Sequence, residues 1–240
     1  MLLPRQQFFY QPPFCQPIQD SWLFPKQLPS CHLMSCFFEV NQLQEQDFKL
    51  KDITTPKGSQ KRQAEFLAAR HCAQYATQRI SGVFEAPATG KVGEPIWPNG
   101  IVGSITHSHS WAAALTGDAQ SWRGLGIDRE NLLNSERAQR LAKTILTHQE
   151  LKHLHTLPIN QQAWLITLSF SLKESAFKAL YPLTQQFFYW QDIMLTHYQE
   201  GFAELSLLRN LNSDWKKHST VQGQYSYDTQ HLLSLISISR

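Results

Sequence analysis

The sequence predicts an α+β fold, with helices packed on short antiparallel sheets. Two observations carry this. Segments with apolar residues near helical spacing are interleaved with short strand-like runs, and the C-terminal part alternates apolar and polar residues.

Residues 1–30 hold Pro4, Pro12, Pro13, Pro17, Pro25 and Pro29. Proline removes backbone donors, so this stretch reads as an extended, irregular N-terminal extension. Its aromatics, Phe8, Phe9, Tyr10, Phe14, Trp22 and Phe24, are expected to pack on the body. Residues 31–40 read as a strand, and 52–58, with Pro56 and Gly58, as a loop. The clearest helix is 59–80, where Phe66, Leu67, Ala73 and Tyr75 sit near helical spacing and alanine is abundant. Glycine and proline make 83–100 a loop. Strand-like runs follow at 100–106, 111–116 and 124–129, with a turn expected at Gly117 and Asp118. Residues 135–142 and 147–154 are helical, the second opened by the capping-box pattern Thr147-x-x-Glu150. A long helix is expected over 161–181. Alternation, as in 232–238, makes 187–240 a set of strands.

A chain of 240 residues can bury a proper core in one large domain or two small ones. With 42% apolar and 17% charged residues it is not a disordered composition. A net charge of +3 does not argue for nucleic-acid binding, which calls for a dense basic face. Cys15, Cys31, Cys36 and Cys72 form no CxxC pair and read as reduced thiols of a cytoplasmic protein. The N-terminus has no continuous apolar stretch of the signal-peptide kind, and no segment is long and apolar enough to span a membrane.

Four constellations bear on chemistry. In Gly126-Ile127-Asp128-Arg129-Glu130, strand alternation sends Asp128 and Glu130 to one face. Two carboxylates there repel unless a hard cation such as Mg²⁺ lies between them; the plain alternative is a solvated strand edge. In Phe170-Ser171-Leu172-Lys173-Glu174-Ser175-Ala176-Phe177-Lys178, Glu174 and Lys178 share a helix face and suit a metal–phosphate site. An exposed ion pair or a capping box at Ser171-x-x-Glu174 fits as well. Gly103-Ser104-Ile105-Thr106-His107 ends a strand with hydroxyls and a histidine able to hold phosphate. Arg62 and Arg70 stand about 80° apart around a helix, close enough to converge on one anion, with Lys91 in the following loop. Each of these last two also reads as ordinary surface residues.

Taken together and in this order, the constellations resemble the 4′-phosphopantetheinyl transferases, most closely those of the enterobactin synthase component D type. The segments that carry the likeness are Arg62-Gln63-Ala64-Glu65-Phe66-Leu67-Ala68-Ala69-Arg70, Pro95-Ile96-Trp97-Pro98, Gly103–His107, Gly126–Glu130 and Phe170–Lys178. It is firm over 59–181. One departure is Arg129, where relatives usually carry an apolar or small residue; alternation sends it away from the carboxylates, toward solvent or another charge.

The resemblance implies two similar α/β halves related by a pseudo-twofold. Residues 31–118 would grip the phosphates of coenzyme A, and 119–240 would bind metal and carry catalysis. It implies transfer of the phosphopantetheine arm to a serine of an apo acyl or peptidyl carrier protein, with release of 3′,5′-ADP. Asp128, Glu130 and Glu174 would hold Mg²⁺, with Glu174 as general base and Lys178 neutralising charge. Arg62, Arg70, Lys91, Ser104, His107, Lys173 and Lys178 would hold coenzyme A. Arg137, Arg140 and Lys143 form a basic stripe suited to steering an acidic carrier. A siderophore or other secondary-metabolite pathway, a cytoplasmic location and a monomer are the further expectations. The rival readings are a Mg²⁺-dependent phosphodiesterase or nuclease, and a non-catalytic nucleotide-binding module.

Overall fold

The computed structural model describes residues 10–51 and 53–240, apart from the side chain of Leu50. Pro4, Phe8, Phe9 and Asp52 therefore lie outside the described residues. Phe14 and Phe24 are buried, as expected of the N-terminal aromatics, and Tyr10 donates its hydroxyl to Asp47 at 2.7 Å.

Strand β1 (Gln19–Asp20) pairs with β2 (Cys31–Phe37). A short helix, α1 (Glu45–Lys51), leads to the long α2 (Gln60–Ser81). Ser59 caps α2 by accepting from the Arg62 N–H, and Gly82 ends it in the left-handed region at φ 74°. The expected loop after α2 contains a small hairpin, β3 (Ala88–Thr89) and β4 (Pro95–Ile96). Then come β5 (Ile101–Ser108), β6 (Trp111–Asp118) and β7 (Trp122–Asn131). The turn expected at Gly117 and Asp118 falls later, because both residues still pair in the ladder to β5. Helices α3 (Ser135–Ile145) and α4 (His148–Leu154) follow, and the Thr147–Glu150 capping box is formed. Helix α5 (Ile159–Thr184) starts before and ends after its expected limits. Strands β8 (Ile193–Gln199), β9 (Phe202–Leu207), β10 (Thr220–Tyr227) and β11 (His231–Ser239) complete the described chain.

Besides the β3–β4 hairpin, two larger sheets result, ordered β1-β2-β6-β5 and β7-β11-β10-β9-β8. A repeat that the sequence hides is plain in this order. Strand β2, helix α2 and hairpin β5–β6 build the first half, with the last strand beside the first. Strand β7, helix α5 and hairpin β10–β11 do the same in the second, with β8 and β9 added at the edge. This is the pseudo-twofold α+β arrangement.

Alternation explains the packing. On β6, Ala112 and Ala114 face the core under α2, with Leu67, Ala68 and Cys72. Trp111, Ala113 and Leu115 face the opposite way and meet Leu125, Ile127, Leu233 and Leu235 in a cluster between the two sheets. A separate cluster under α5 fills the second half. The four cysteines are free and buried.

Candidate active site

The site lies where the two halves meet. Strand β7 supplies its floor through even-numbered residues. Gly126 has no side chain because α5 leaves no room: a Cβ there would collide with the Ser175 carbonyl oxygen. The close approach brings Lys178 of α5 over β7, where its Nζ donates to the Ile127 carbonyl at 2.9 Å and to Asp128 Oδ1 at 2.8 Å. Asp128 is only 5% exposed, and its other oxygen, Oδ2, is buried without a hydrogen-bond partner among the described residues. Glu130 stands two residues along the same face. Burial first, then Asp128, pushes its carboxyl up to about 7, with Glu174 adding to the effect and Lys178 and Arg137 opposing it.

The first half contributes cations. Arg62 and Arg70 of α2 line the same cleft of about 390 Å³ as Asp128, Glu130 and Lys178, so the two arginines do converge. Arg70 is held rather than free: its guanidinium lies 3.7 Å over the Phe66 ring and donates to Thr89 Oγ1 at 3.0 Å. His107 Nε2 is 2.8 Å from Arg62 Nη1, and its Nδ1 is 3.6 Å from Glu65. Burial, followed by Arg62, Lys178 and Lys61, pushes His107 down to about 4, so the ring is neutral at pH 7 and Nε2 faces the guanidinium as an acceptor. A cationic wall and an acidic floor thus share one cleft, an arrangement suited to a polyphosphate whose charge is matched on two sides.

Two expected ligand contacts are corrected. Lys173 does not reach the cleft. Its Nζ is fully buried between Glu150 Oε2 at 2.7 Å and the Ile145 carbonyl at 2.9 Å, on the other side of α5. Five residues separate it from Lys178, about 140° around the helix, so the two lysines cannot serve one site. Ser104 is buried, and its hydroxyl accepts from the Ile127 N–H at 3.0 Å, which spends it on the backbone. Lys91 is exposed at the tip of the β3–β4 hairpin, whose Gly93 and Pro95 line the cleft, so its grip on coenzyme A stays a proposal.

The expected carboxylate trio is only partly assembled. Glu174 lies close enough to raise the proton affinity of Glu130, yet its Oε1 accepts the Trp190 indole N–H at 2.6 Å. Among the described residues, no three acidic, histidine or cysteine side chains are grouped to hold a metal. The residues nonetheless suit a divalent cation. Asp128 Oδ2 is buried without a partner, and Glu130 is strained by a neighbouring carboxylate, which is what a hard cation relieves. The capping-box alternative for Ser171 fails, since Ser171 sits mid-helix and bonds to Ser234 and the Asp128 carbonyl. Arg129 points away from the carboxylates, as alternation demands, but not into solvent. It lies 4.5 Å over the Trp111 ring and donates to the Ser108 carbonyl at 3.2 Å.

Sequence reasoning missed Phe66, Glu65 and Trp190. Glu65 and Phe66 follow Arg62 by three and four residues, a spacing that marks a shared helix face and could have exposed both. Trp190 lies beyond α5 with no periodic signal to tie it to Glu174.

Family models match this arrangement on both sides of the seam. Residues 53–117 match the 4′-phosphopantetheinyl transferase N-terminal domain, and 124–234 match the 4′-phosphopantetheinyl transferase superfamily. The chain belongs to the 4′-phosphopantetheinyl transferase superfamily. A relative named 4′-phosphopantetheinyl transferase PptT, from Mycobacterium tuberculosis, is 30% identical over 185 residues, covering 73% of this chain and 79% of that protein. 4′-Phosphopantetheinyl transferase Npt of Nocardia iowensis is 31% identical, covering 62% and 65%. Enterobactin synthase component D of Escherichia coli K12 is 37% identical, covering 50% of this chain and 55% of that one. The match thus spans just under two thirds of the Nocardia protein and about half of the enterobactin component. A solved holo-(acyl-carrier-protein) synthase from Bacillus anthracis shows a slight likeness, with a TM-score of 0.35 at 18% identity, over 50% of this chain and 97% of that one.

Proposed function

We propose that this chain transfers the 4′-phosphopantetheine group of coenzyme A to a serine of an apo carrier protein. The observation that carries the reading is the pairing, in one cleft, of Arg62, Arg70 and His107 from one half with Asp128, Glu130 and Lys178 from the other. That layout fits a pyrophosphate lying across the seam. Membership of the superfamily favours it over a phosphodiesterase or a non-catalytic binding module.

In the proposed reaction the serine hydroxyl attacks the β-phosphorus of coenzyme A. The P–O bond to the α-phosphate breaks, 3′,5′-ADP leaves, and the hydroxyl proton passes to a carboxylate. Glu174, steadied by Trp190, is the proposed acceptor of that proton, directly or through water. Lys178 faces the cleft beside Asp128 and offsets charge on the leaving group. Arg62 and Arg70 hold the nucleotide phosphates, with neutral His107 fixing the Arg62 guanidinium. Asp128 and Glu130, with Glu174 near them, would hold a Mg²⁺, which when bound would neutralise charge on the pyrophosphate.

Arg137 and Arg140 stand exposed on α3, next after β7, and are proposed to steer the carrier; Arg140 is paired with Glu136 at 3.0 Å. The names of the enterobactin relatives favour a carrier of siderophore assembly. A cytoplasmic, monomeric enzyme is part of the same proposal. Among the described residues, no helix is long and apolar enough to cross a membrane.

The test is to incubate the protein with coenzyme A, Mg²⁺ and an apo carrier. Addition of one phosphopantetheine mass to the carrier supports the reading. Unmodified carriers from fatty-acid, polyketide and peptide synthesis, with hydrolysed nucleic acid instead, would replace it with the phosphodiesterase.

A further inference from the structure

The two sheets do not share a ladder: β5 is the edge of one and β7 the edge of the other. Their edges are nevertheless joined, and by side chains. Ser104 Oγ accepts from the Ile127 N–H at 3.0 Å, and two residues further along each strand Thr106 Oγ1 accepts from the Arg129 N–H at 3.1 Å. Arg129 Nη1 then reaches the Ser108 carbonyl at 3.2 Å while its guanidinium lies over Trp111. Asn131 Nδ2 is 2.9 Å from His109 Nε2, at the β5–β6 turn, where His109 takes a left-handed φ of 51°. The seam is therefore a zipper of period two. On β7 the odd residues 127, 129 and 131 engage β5 and its turn, while even residues 128 and 130 face the cleft. On β5 the hydroxyls of 104 and 106 engage β7, and Ile105, Thr106 and His107 all border the cleft.

We propose that Ser104, Thr106 and Arg129 are positioning residues: they hold β5 on β7 and so set the span between the cationic wall and the acidic floor of the cleft. Thr106 also borders the cleft, but the role assigned to its hydroxyl is to accept from the Arg129 N–H, and neither Ser104 nor Arg129 lines the cleft. A grip divided between two halves works only at one span, because a ligand fixed on both sides loses contact with one when the halves part. Both hydroxyls are buried, at 3% residual exposure each, so no water can replace them without opening the seam. Arg129 supplies the third clasp.

The proposal rests on the two-sided reading of the cleft given above, and its test separates the two. Thr106→Val keeps the shape and removes the acceptor; Thr106→Ser restores the hydroxyl. Arg129→Met keeps the stem and removes the clasp; Arg129→Lys restores a donor. The full-length variants are compared with the wild type by NMR titration of His107 and by calorimetric titration with coenzyme A. His107 faces Arg62, Glu65 and Lys61 from α2 and Lys178 from across the seam. In Thr106→Val and Arg129→Met the His107 midpoint should rise toward its ordinary value as the opened seam exposes the ring and Lys178 recedes, and coenzyme A should bind about tenfold more weakly. Serine and lysine at those positions should restore most of both. A His107 midpoint unchanged in Thr106→Val and Arg129→Met overturns the seam, whatever coenzyme A does. If the midpoint moves while the wild type itself binds no coenzyme A, the seam stands and the functional reading fails.

Discussion

Replacing Lys173 by methionine distinguishes a ligand-binding lysine from one that holds the fold. The ammonium is fully buried and donates to Glu150 and to the carbonyl of Ile145, the last residue of α3. Removing one partner of a buried ion pair typically costs about 3–5 kcal/mol, because the other charge is left uncompensated. Here Glu150 keeps two backbone donors, the Thr147 N–H at 2.7 Å and the Leu195 N–H at 2.9 Å. The loss therefore belongs near the lower limit, about 3 kcal/mol, which for a chain of this size lowers Tm by about 6–12 °C. Lys173→Met combined with Glu150→Gln removes both charges and should cost less than the two single changes together, by about 2 kcal/mol. Urea unfolding followed by circular dichroism reads all four corners of the cycle. A loss below about 1 kcal/mol in Lys173→Met, accompanied by a tenfold weaker grip on coenzyme A, would refute the reasoning and return Lys173 to the cleft.

Other consequences are equally open to measurement. Because the folded state raises the Glu130 carboxyl to about 7, that group favours the folded protein at low pH; its contribution is present below the ordinary carboxylate range and is lost as pH rises toward 7. Thermal unfolding of the metal-free protein should show this decline, and Glu130→Gln should flatten it; an unchanged slope would place Glu130 in water. Arg70→Leu removes the guanidinium, together with its stacking on Phe66 and its bond to Thr89, and should weaken coenzyme A binding at least tenfold in calorimetry while the carrier KM stays put. Reversing charge at Arg137 and Arg140 should raise the carrier KM several-fold and leave coenzyme A affinity alone, an effect that fades with salt; equal kinetics at low salt would remove α3 from the docking face.

The sequence made the local parts of this site legible because helices and strands impose fixed periods. Alternation alone put Asp128 and Glu130 on one face and sent Arg129 to the other, and helical rotation alone brought Arg62 toward Arg70. The same rotation, applied to Lys173, would have shown that it cannot share a face with Lys178. What stayed hidden was long-range. Ser104 and Thr106 satisfy backbone donors on a strand of the other half, a role with no spacing of its own, so they read as phosphate contacts. Glu174 sits where the helix phase places it, but the indole that claims it comes from a short 3₁₀ turn after α5. The repeated strand–helix–hairpin order was likewise invisible without pairing, since the halves share topology and not residue pattern.

The account turns on whether one ligand is gripped from both halves with a cation at the acidic floor. Calorimetric titration of coenzyme A into the wild type and Asp128→Asn, each with and without Mg²⁺, reads this directly. Mg²⁺ should tighten binding to the wild type by tenfold or more and do little for Asp128→Asn. Equal tightening in both proteins, or none in the wild type, would contradict it.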